Sequence, residues 1–256
     1  MKIIVAIKQV PSRDSQLKVR DDRRWIEDGD LTFEINEPDA YALEEALQLR
    51  EKHGGEVIAL CLGPERATST IREALAKGAD RAIHIEESGA ELMDSLAVAH
   101  LLAAALKSES PDLVLTGLQS DDLGAGQTGV ILAELLTIPH ATIVMQVEVN
   151  DKTVRVKREL EDGWFQHVSM PLPALLTIQS GINKLRYATL MGIKKAKTKE
   201  VKRLLPSELG GVPAAASNLL GIYAPEKAKM TQMLEGDAKT VAAKLVEKLR
   251  FEVRAI

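Results

Sequence analysis

Pro111–Pro139, PDLVLTGLQSDDLGAGQTGVILAELLTIP, is the stretch whose reading decides the fold. Asp112–Thr116 carries Leu, Val, Leu and Thr with no interior charge, the pattern of a strand buried on both faces. Gly117–Gly126 is polar and glycine-containing, and reads as a loop. Gln127–Leu136 places apolar residues at 130, 131, 132, 135 and 136, the spacing of a helix packed on a sheet. Strand, glycine loop, helix is how α/β proteins present free backbone N–H groups to an anion. Gly126, Gln127, Thr128 and Gly129 are therefore read as a phosphate cradle at the helix start. The order of residues matches neither the GxGxxG dinucleotide fingerprint nor a lysine-bearing phosphate loop.

The same alternation runs back to the first residue. Lys2–Ile7 and Glu56–Leu62 read as buried strands, and Arg81–Ile85 as a short third one. Between them, Asn36–His53 reads as a helix with Asn36 as cap and Glu37-Pro38 as its opening. A second helix follows Gly63-Pro64 and ends at Lys77-Gly78. A third is alanine-rich, over Leu92–Lys107. Lys8–Ile35 lacks helical period and reads as a long loop with a small hairpin around Gly29. Strands that alternate with helices in this way form a doubly wound α/β fold with a mostly parallel sheet and helices on both faces. Such sheets bind ligands beyond the carboxyl ends of their strands. The joints at 8–13, 62–64 and 117–127 all lie at such ends.

After Pro139 the texture changes. Ala141–Asn150 and Lys152–Glu161 read as two strands joined at Asn150-Asp151, with a further one over Trp164–Val168. Ala174–Ile178 returns to the buried-strand style, and 141–178 is expected to extend the sheet in antiparallel fashion. Residues 1–180 are then a nucleotide-binding domain. Residues 181–256 read as an extended arm with a basic run, Lys194–Arg203, and a final amphipathic helix, Asp237–Leu249. The arm is expected to dock on a partner.

Composition narrows the function. Of 256 residues, 45% are hydrophobic and only 3% aromatic, so the core is aliphatic. The formal charge is −4, which gives no support to a nucleic-acid binder. A single cysteine, Cys61, excludes a disulfide framework, and its apolar strand makes it a buried thiol. The five histidines show no ligand spacing, so no metal site is expected, and no catalytic triad is discernible. There is neither a signal-peptide pattern nor a run of 18 apolar residues. A soluble cytoplasmic protein without membrane insertion is the expectation. Asp121-Asp122 fits either a solvated turn or an acceptor for a ribose hydroxyl or adenine amine. Leu62-Gly63-Pro64 fits a plain turn or the wall of an adenine pocket. Gly181–Ala196 places Leu190 and Met191 between Arg186-Tyr187 and the basic run, an apolar tip on a charged collar.

Several motifs together resemble the beta subunit of electron transfer flavoprotein. They are KIIVAIKQV at the start, NEPDAYALEEAL at 36–47, IREALAKGADRAI at 71–83 and GLQSDDLGAGQTG at 117–129. VKRELEDG at 156–163, PALLTIQSGINKLRYATLMGIKKAK at 173–197 and YAPEKAKMTQMLEG at 223–236 complete the likeness. It covers essentially the whole chain. The resemblance implies an electron-carrying heterodimer without catalytic residues of its own. The alpha subunit holds most of a redox FAD, and the beta subunit holds a structural AMP. The AMP-binding set expected here is Ala6, Asn36, Asp39, Leu62, Asp121, Gly126, Gln127, Thr128 and Gly129. The partner-docking set is Tyr187, Leu190, Met191, Lys194 and Lys195, with Leu190 as the anchor inserted into a dehydrogenase.

Two positions depart from the family pattern. Gly126 stands where many members have Asn, so backbone N–H or water must replace one phosphate donor. Ser12 and Arg13 stand where some members place a flavin-contacting Tyr. A bifurcating branch binds a second FAD in the AMP pocket, but the Gln-Thr-Gly ending here favours AMP. The rival of another class is a stand-alone nucleotide-binding signalling module, which would need neither flavin nor the 179–256 arm.

Overall fold

The computed structural model describes residues 1–225 and 231–255. The chain divides into two compact units, Met1–Ile222 and Tyr223–Ile256.

In the first unit the strands are β1 (Lys2–Ile7), β2 (Gln9–Pro11), β3 (Phe33–Ile35), β4 (Glu56–Gly63), β5 (Arg81–Glu86) and β6 (Leu113–Gly117), then β7 (His140–Asn150), β8 (Thr153–Glu159), β9 (Phe165–Pro171), β10 (Ala174–Ile178) and β11 (Val201–Leu204). The helices are α1 (Glu37–His53), α2 (Thr68–Lys77), α3 (Ser95–Leu106), α4 (Thr128–Leu136) and α5 (Leu190–Ala196). The main sheet runs β11-β5-β4-β1-β6-β10-β7-β8-β9. β1 pairs in parallel with β4 on one side and β6 on the other. The chain order therefore reverses direction at β1, and a crevice opens there beyond the strand ends.

Period-two alternation along each strand sorts the core into two layers. Ile3 and Val5 face Leu43, Leu47, Ile71 and Leu75 of α1 and α2. Ile4, Ile58 and Leu60 face Leu102 and Leu132 of α3 and α4. These side chains are almost wholly buried, so the aliphatic core expected from composition is present on both faces.

Four local expectations change. The hairpin expected around Gly29 is absent; instead Val19 bridges Ile26, and β2 pairs antiparallel with β3 in a separate small sheet. The third helix begins at Ser95, not Leu92, because Asp94 caps it by accepting from the Ala97 N–H at 2.8 Å. The 141–178 extension is only partly antiparallel. β10 sits between β6 and β7 and runs parallel to both, while β7, β8 and β9 supply the antiparallel ribbon. The basic run is not wholly an open arm, since Val201–Leu204 pairs in parallel with β5 and ends the sheet.

The second unit holds α6 (Ala238–Lys248), capped by Asp237, which accepts from the Thr240 N–H, followed by a wider π-type turn at Leu249–Val253. Leu245, Phe251 and Val253 are exposed there. Residues 226–230 of the 223–236 motif lie outside the described residues. Among the described residues, no helix is long and apolar enough to cross a membrane.

Candidate functional site

The crevice at the carboxyl edge encloses about 1200 Å³, counting its open mouth. Ala6 and Ile7 of β1, Leu62 and Gly63 of β4, and Thr116 and Gly117 of β6 form its base. The loop before α4 closes one side, and Met93, Val98 and Leu102 form an apolar wall.

One residue of α1, Asp39, and the residue that precedes the helix, Asn36, hold this edge together. Asp39 is buried, and its carboxylate accepts the Gly117 N–H at 2.9 Å and the Lys8 N–H at 2.7 Å. One side chain thus ties the ends of β1 and β6. Gly117 is required for this approach: a Cβ there would lie 2.4 Å from Asp39 Oδ1 and 2.7 Å from Pro38 Cβ. Asn36 occupies the cap position of α1, but its side chain makes no capping bond. Its amide donates to the Gln119 carbonyl at 2.9 Å, and its oxygen accepts the Asp121 N–H at 2.9 Å. Asn36 therefore orients the loop that leads to the cradle.

Burial, the largest influence, pushes the Asp39 carboxyl up from 3.8 to about 7, against the two N–H donors and Lys8. A folded-state value above the unfolded one means that the native chain binds the extra proton between these two limits. The ionised, buried carboxylate costs stability above pH 7, and that cost is relieved as pH falls from about 7 toward 3.8. The part of the stability gain between pH 8 and 5 that Asp39 supplies, at most about 1.4 kcal/mol per pH unit, is expected to vanish in Asp39→Asn. Chemical denaturation at a series of pH values checks this; parallel profiles for the two proteins would contradict it. Burial foremost, and then the Asp39 charge, pushes the neighbouring Cys61 thiol up to about 12. Cys61 is buried and is no nucleophile at neutral pH.

The cradle itself follows β6. Gly124 and Gly126 have φ of +62° and +63°, a conformation open to glycine at little cost. Gly129 lets α4 start hard against the sheet, since a Cβ there would lie 2.7 Å from both Thr116 Oγ1 and Thr177 Cγ2. Gln127 stands at the cap of α4 with no side-chain cap bond. The first-turn N–H groups of a helix have no carbonyl of their own to meet. The Thr128 hydroxyl and the Gln127 amide line the same crevice, and together with such N–H groups they are the donor types that an anion at the positive end of a helix would need.

Of the expected nucleotide residues, Ala6, Asn36, Asp39, Leu62, Gly126, Gln127, Thr128 and Gly129 all line this one crevice. Asp121 does not. Its carboxylate is turned toward Arg13, at 3.3 Å, and the Glu37 N–H, at 3.4 Å. Its neighbour Asp122 lines the crevice instead and pairs with Lys8 Nζ at 2.7 Å. Lys8, of the 8–13 joint expected at this edge, also lines it without having been named as a site residue, and Arg66 and Glu91 were not foreseen. Lys8 had a legible signal, a cation one residue past the end of a buried strand.

The expected docking residues form a second, separate feature. Tyr187 is 94% exposed, Leu190 82% and Met191 61%. Lys194 and Lys195 are exposed one turn further along α5. The foundation of this tip is firm. Arg186 binds Glu44 at 2.7 Å and Glu51 at 2.6 Å, so it braces the segment on α1 and takes no part in the basic collar. Asn183 donates to the Tyr41 carbonyl, Thr189 caps α5 through the Gly192 N–H, and Arg72 holds the Ala196 carbonyl at 2.6 Å. Gly192 allows α5 to touch α2: a Cβ there would lie 2.3 Å from the Ala76 carbonyl oxygen. Gly192→Ala is expected to cost about 1–3 kcal/mol by overpacking, measured as a lowered unfolding midpoint. An unchanged midpoint would show that the contact yields freely.

Among the described residues no group of His, Cys, Asp and Glu is disposed to hold a metal. A family model described as "Electron transfer flavoprotein domain" matches residues 25–209. The chain is 37% identical to "Electron transfer flavoprotein subunit beta" of Methylophilus methylotrophus, over 96% of this chain and 97% of that one. The Bacillus subtilis protein of the same description is 35% identical over the full length of both. The Homo sapiens protein is 38% identical over 82% of this chain and 83% of its own. A rice relative, 36% identical over all of both chains, carries "mitochondrial" in its description.

Proposed function

The chain belongs to the beta-subunit family of electron transfer flavoproteins, and from that membership we propose that it is the AMP-binding, partner-docking half of an electron carrier. It pairs with an electron transfer flavoprotein alpha subunit, and the pair shuttles electrons between dehydrogenases and a downstream acceptor. It is a carrier subunit without catalytic activity of its own. The redox FAD belongs mainly to the alpha subunit and supplies the electron-transfer chemistry when bound.

The observation that carries the nucleotide reading is the convergence of Ala6, Leu62 and the α4 start on one crevice at the switch point of the sheet. A phosphate rests on the first turn of α4, held by the N–H groups of Thr128 and Gly129, the Thr128 hydroxyl and the Gln127 amide. No Asn side chain is available at position 126, so backbone donors take a larger share. Ribose and base lie across the ends of β1 and β4. Asp39 and Asn36 shape the site and leave the ligand to others, because their polar atoms are engaged by the protein's own backbone. Lys8 is a further phosphate partner within the crevice, at present paired with Asp122.

The docking reading rests on the exposed Tyr187–Met191 tip and its basic collar. Weak, fast association is expected of an apolar anchor inside a charged ring. The cytoplasmic placement expected from the sequence remains part of the proposal.

One experiment tests the whole. The chain is produced together with an alpha subunit, purified, and its extracted nucleotide is weighed by mass spectrometry. A yellow heterodimer releasing one AMP per beta chain supports the reading. A second FAD per heterodimer points to the bifurcating type. A colourless homodimer points to the signalling module.

A further inference from the structure

Asp94 does more than cap α3. Its Oδ1 accepts the Ala97 N–H at 2.8 Å. Its Oδ2 accepts the N–H groups of Ala216 at 2.6 Å and Ser217 at 2.8 Å, from 122 and 123 positions further along the chain. These donors lie on the stretch that leaves the 3-10 turn Pro206–Leu209. Farther along the same stretch, the Ile222 N–H donates to the Arg23 carbonyl at 2.8 Å. Gly221 lies against that carbonyl as well, since a Cβ there would come within 3.4 Å of its oxygen. All of these residues belong to the first unit.

Both attachment points adjoin the crevice. Asp94 stands between Met93 and Ser95, which line it, and Val98 of α3 lines it too. Arg23 is two positions before Trp25, which is buried and lines it from the loop between β2 and β3. From Ser217 to Ile222 the chain reaches roughly 17 Å at most. One short segment therefore ties the α3 wall to the Trp25 wall. Its own apolar burial is slight: Val212, Leu219 and Leu220 are exposed. Segments held mainly by hydrogen bonds open well below the free energy of global unfolding. The Ala97 N–H foremost, and then the Ser217 and Ala216 N–H groups, hold the Asp94 carboxyl below its ordinary 3.8 against partial burial, so a carboxylate makes the tie at neutral pH. We propose that 212–222 is a strap that clamps these two walls of the crevice, and that its release from Asp94 is the step that lets a bound nucleotide leave. This rests on the nucleotide reading above and adds to it a control on retention, with Asp94 as a positioning residue.

A carboxylate suits this double duty because it accepts on both oxygens at once. Asparagine has the same shape but one acceptor oxygen, beside an amino group that only donates. It caps helices as well as aspartate does. In Asp94→Asn the oxygen can keep the Ala97 N–H, and the amino group then faces the two strap N–H donors without bonding either. Loss of charge-assisted hydrogen bonds of this kind changes an opening equilibrium about tenfold or more. Ile222→Pro attacks the other end. It removes the N–H that meets Arg23 and leaves Asp94 and α3 as they are.

The test uses the full chain with its alpha subunit, purified with AMP bound and then held in an excess of isotopically labelled AMP. Aliquots are gel-filtered over several days, and mass spectrometry counts the label taken up. Asp94→Asn and Ile222→Pro are each expected to speed exchange at least about tenfold over wild type. Amide hydrogen exchange, read on the same complexes, is expected to quicken at 216 and 217 in Asp94→Asn while the Ala97 amide stays protected. Wild-type AMP exchange in both variants overturns the strap while leaving the nucleotide site standing. Faster AMP exchange in Asp94→Asn alone, with the Ala97 amide exposed, assigns the effect to the helix cap and also overturns it. Unchanged protection at 216 and 217 in Asp94→Asn removes Asp94 from the tie. A wild-type complex that carries no AMP overturns the parent reading and this one with it.

Discussion

Thr128→Glu is expected to empty the crevice, lowering retained nucleotide at least about 100-fold below wild type, because it places a carboxylate where the phosphate would rest. Thr128 opens α4, where a phosphate would meet the first-turn N–H groups. A glutamate there competes for the same donors from within the chain and repels the ligand. Its effect on the fold is opposite in sign: an acidic group in the first turn favours the helix by about 0.3–1 kcal/mol. Loss of nucleotide is thus separable from loss of structure. The unfolding midpoint of the nucleotide-free protein should hold or rise, while that measured with excess AMP should no longer respond to the ligand. Thr128→Val, which removes the hydroxyl alone, is expected to weaken retention only about tenfold. Mass analysis of extracted nucleotide decides both cases, and full AMP recovery from the Glu variant would refute the cradle.

Leu190→Ala is expected to slow electron transfer from a cognate dehydrogenase about 30-fold at limiting carrier, with AMP and flavin content unchanged. A side chain 82% exposed supports little of its own fold, so truncation should leave the unfolding midpoint within about 0.5 kcal/mol of wild type. In a complex the same side chain would be a central apolar anchor, and loss of such an anchor costs about 2 kcal/mol or more. Stopped-flow reduction of the flavin at varied carrier concentration measures this. The loss should appear at low concentration and shrink toward saturation. Equal rates for the two proteins throughout would remove Leu190 from the docking surface. Raised salt should weaken both proteins alike if Lys194 and Lys195 steer the encounter.

The two halves of the molecule differ in how openly they declare themselves in sequence. Strands such as Lys2–Ile7 and Ala174–Ile178 are apolar apart from Lys2 and Thr177, and local pattern suffices to find them. Partner choice is another matter. Ala174–Ile178 pairs in parallel with β6 and β7, a long-range arrangement that period and composition do not encode, although its largely apolar, uncharged run already spoke for a central place. Val201–Leu204 escaped notice because an edge strand keeps two cations, Lys202 and Arg203, in solvent.

At the site, the glycine loop and helix start were legible because backbone chemistry there is local. The work of Asn36 was not. Its cap position follows from its neighbours, but its side chain reaches Gln119, a contact across 83 positions of sequence. Asp121 and Asp122 show the same limit at the finest scale. Adjacent and chemically identical, they face opposite ways, one toward Arg13 and one into the crevice, because the loop path is set by Asn36 and not by their own identity.

The tip at 187–191 is mounted on α1 and α2 through Arg186, Asn183 and Gly192, and none of these anchors belongs to the crevice. The residues that brace the tip and those that line the crevice are therefore different sets. If the tip is the docking head, a lineage can acquire a new electron donor by rewriting those few solvent-facing positions, with the scaffold serving as an unchanged handle. A graft of another family member's 187–191 segment should transplant donor preference in one step.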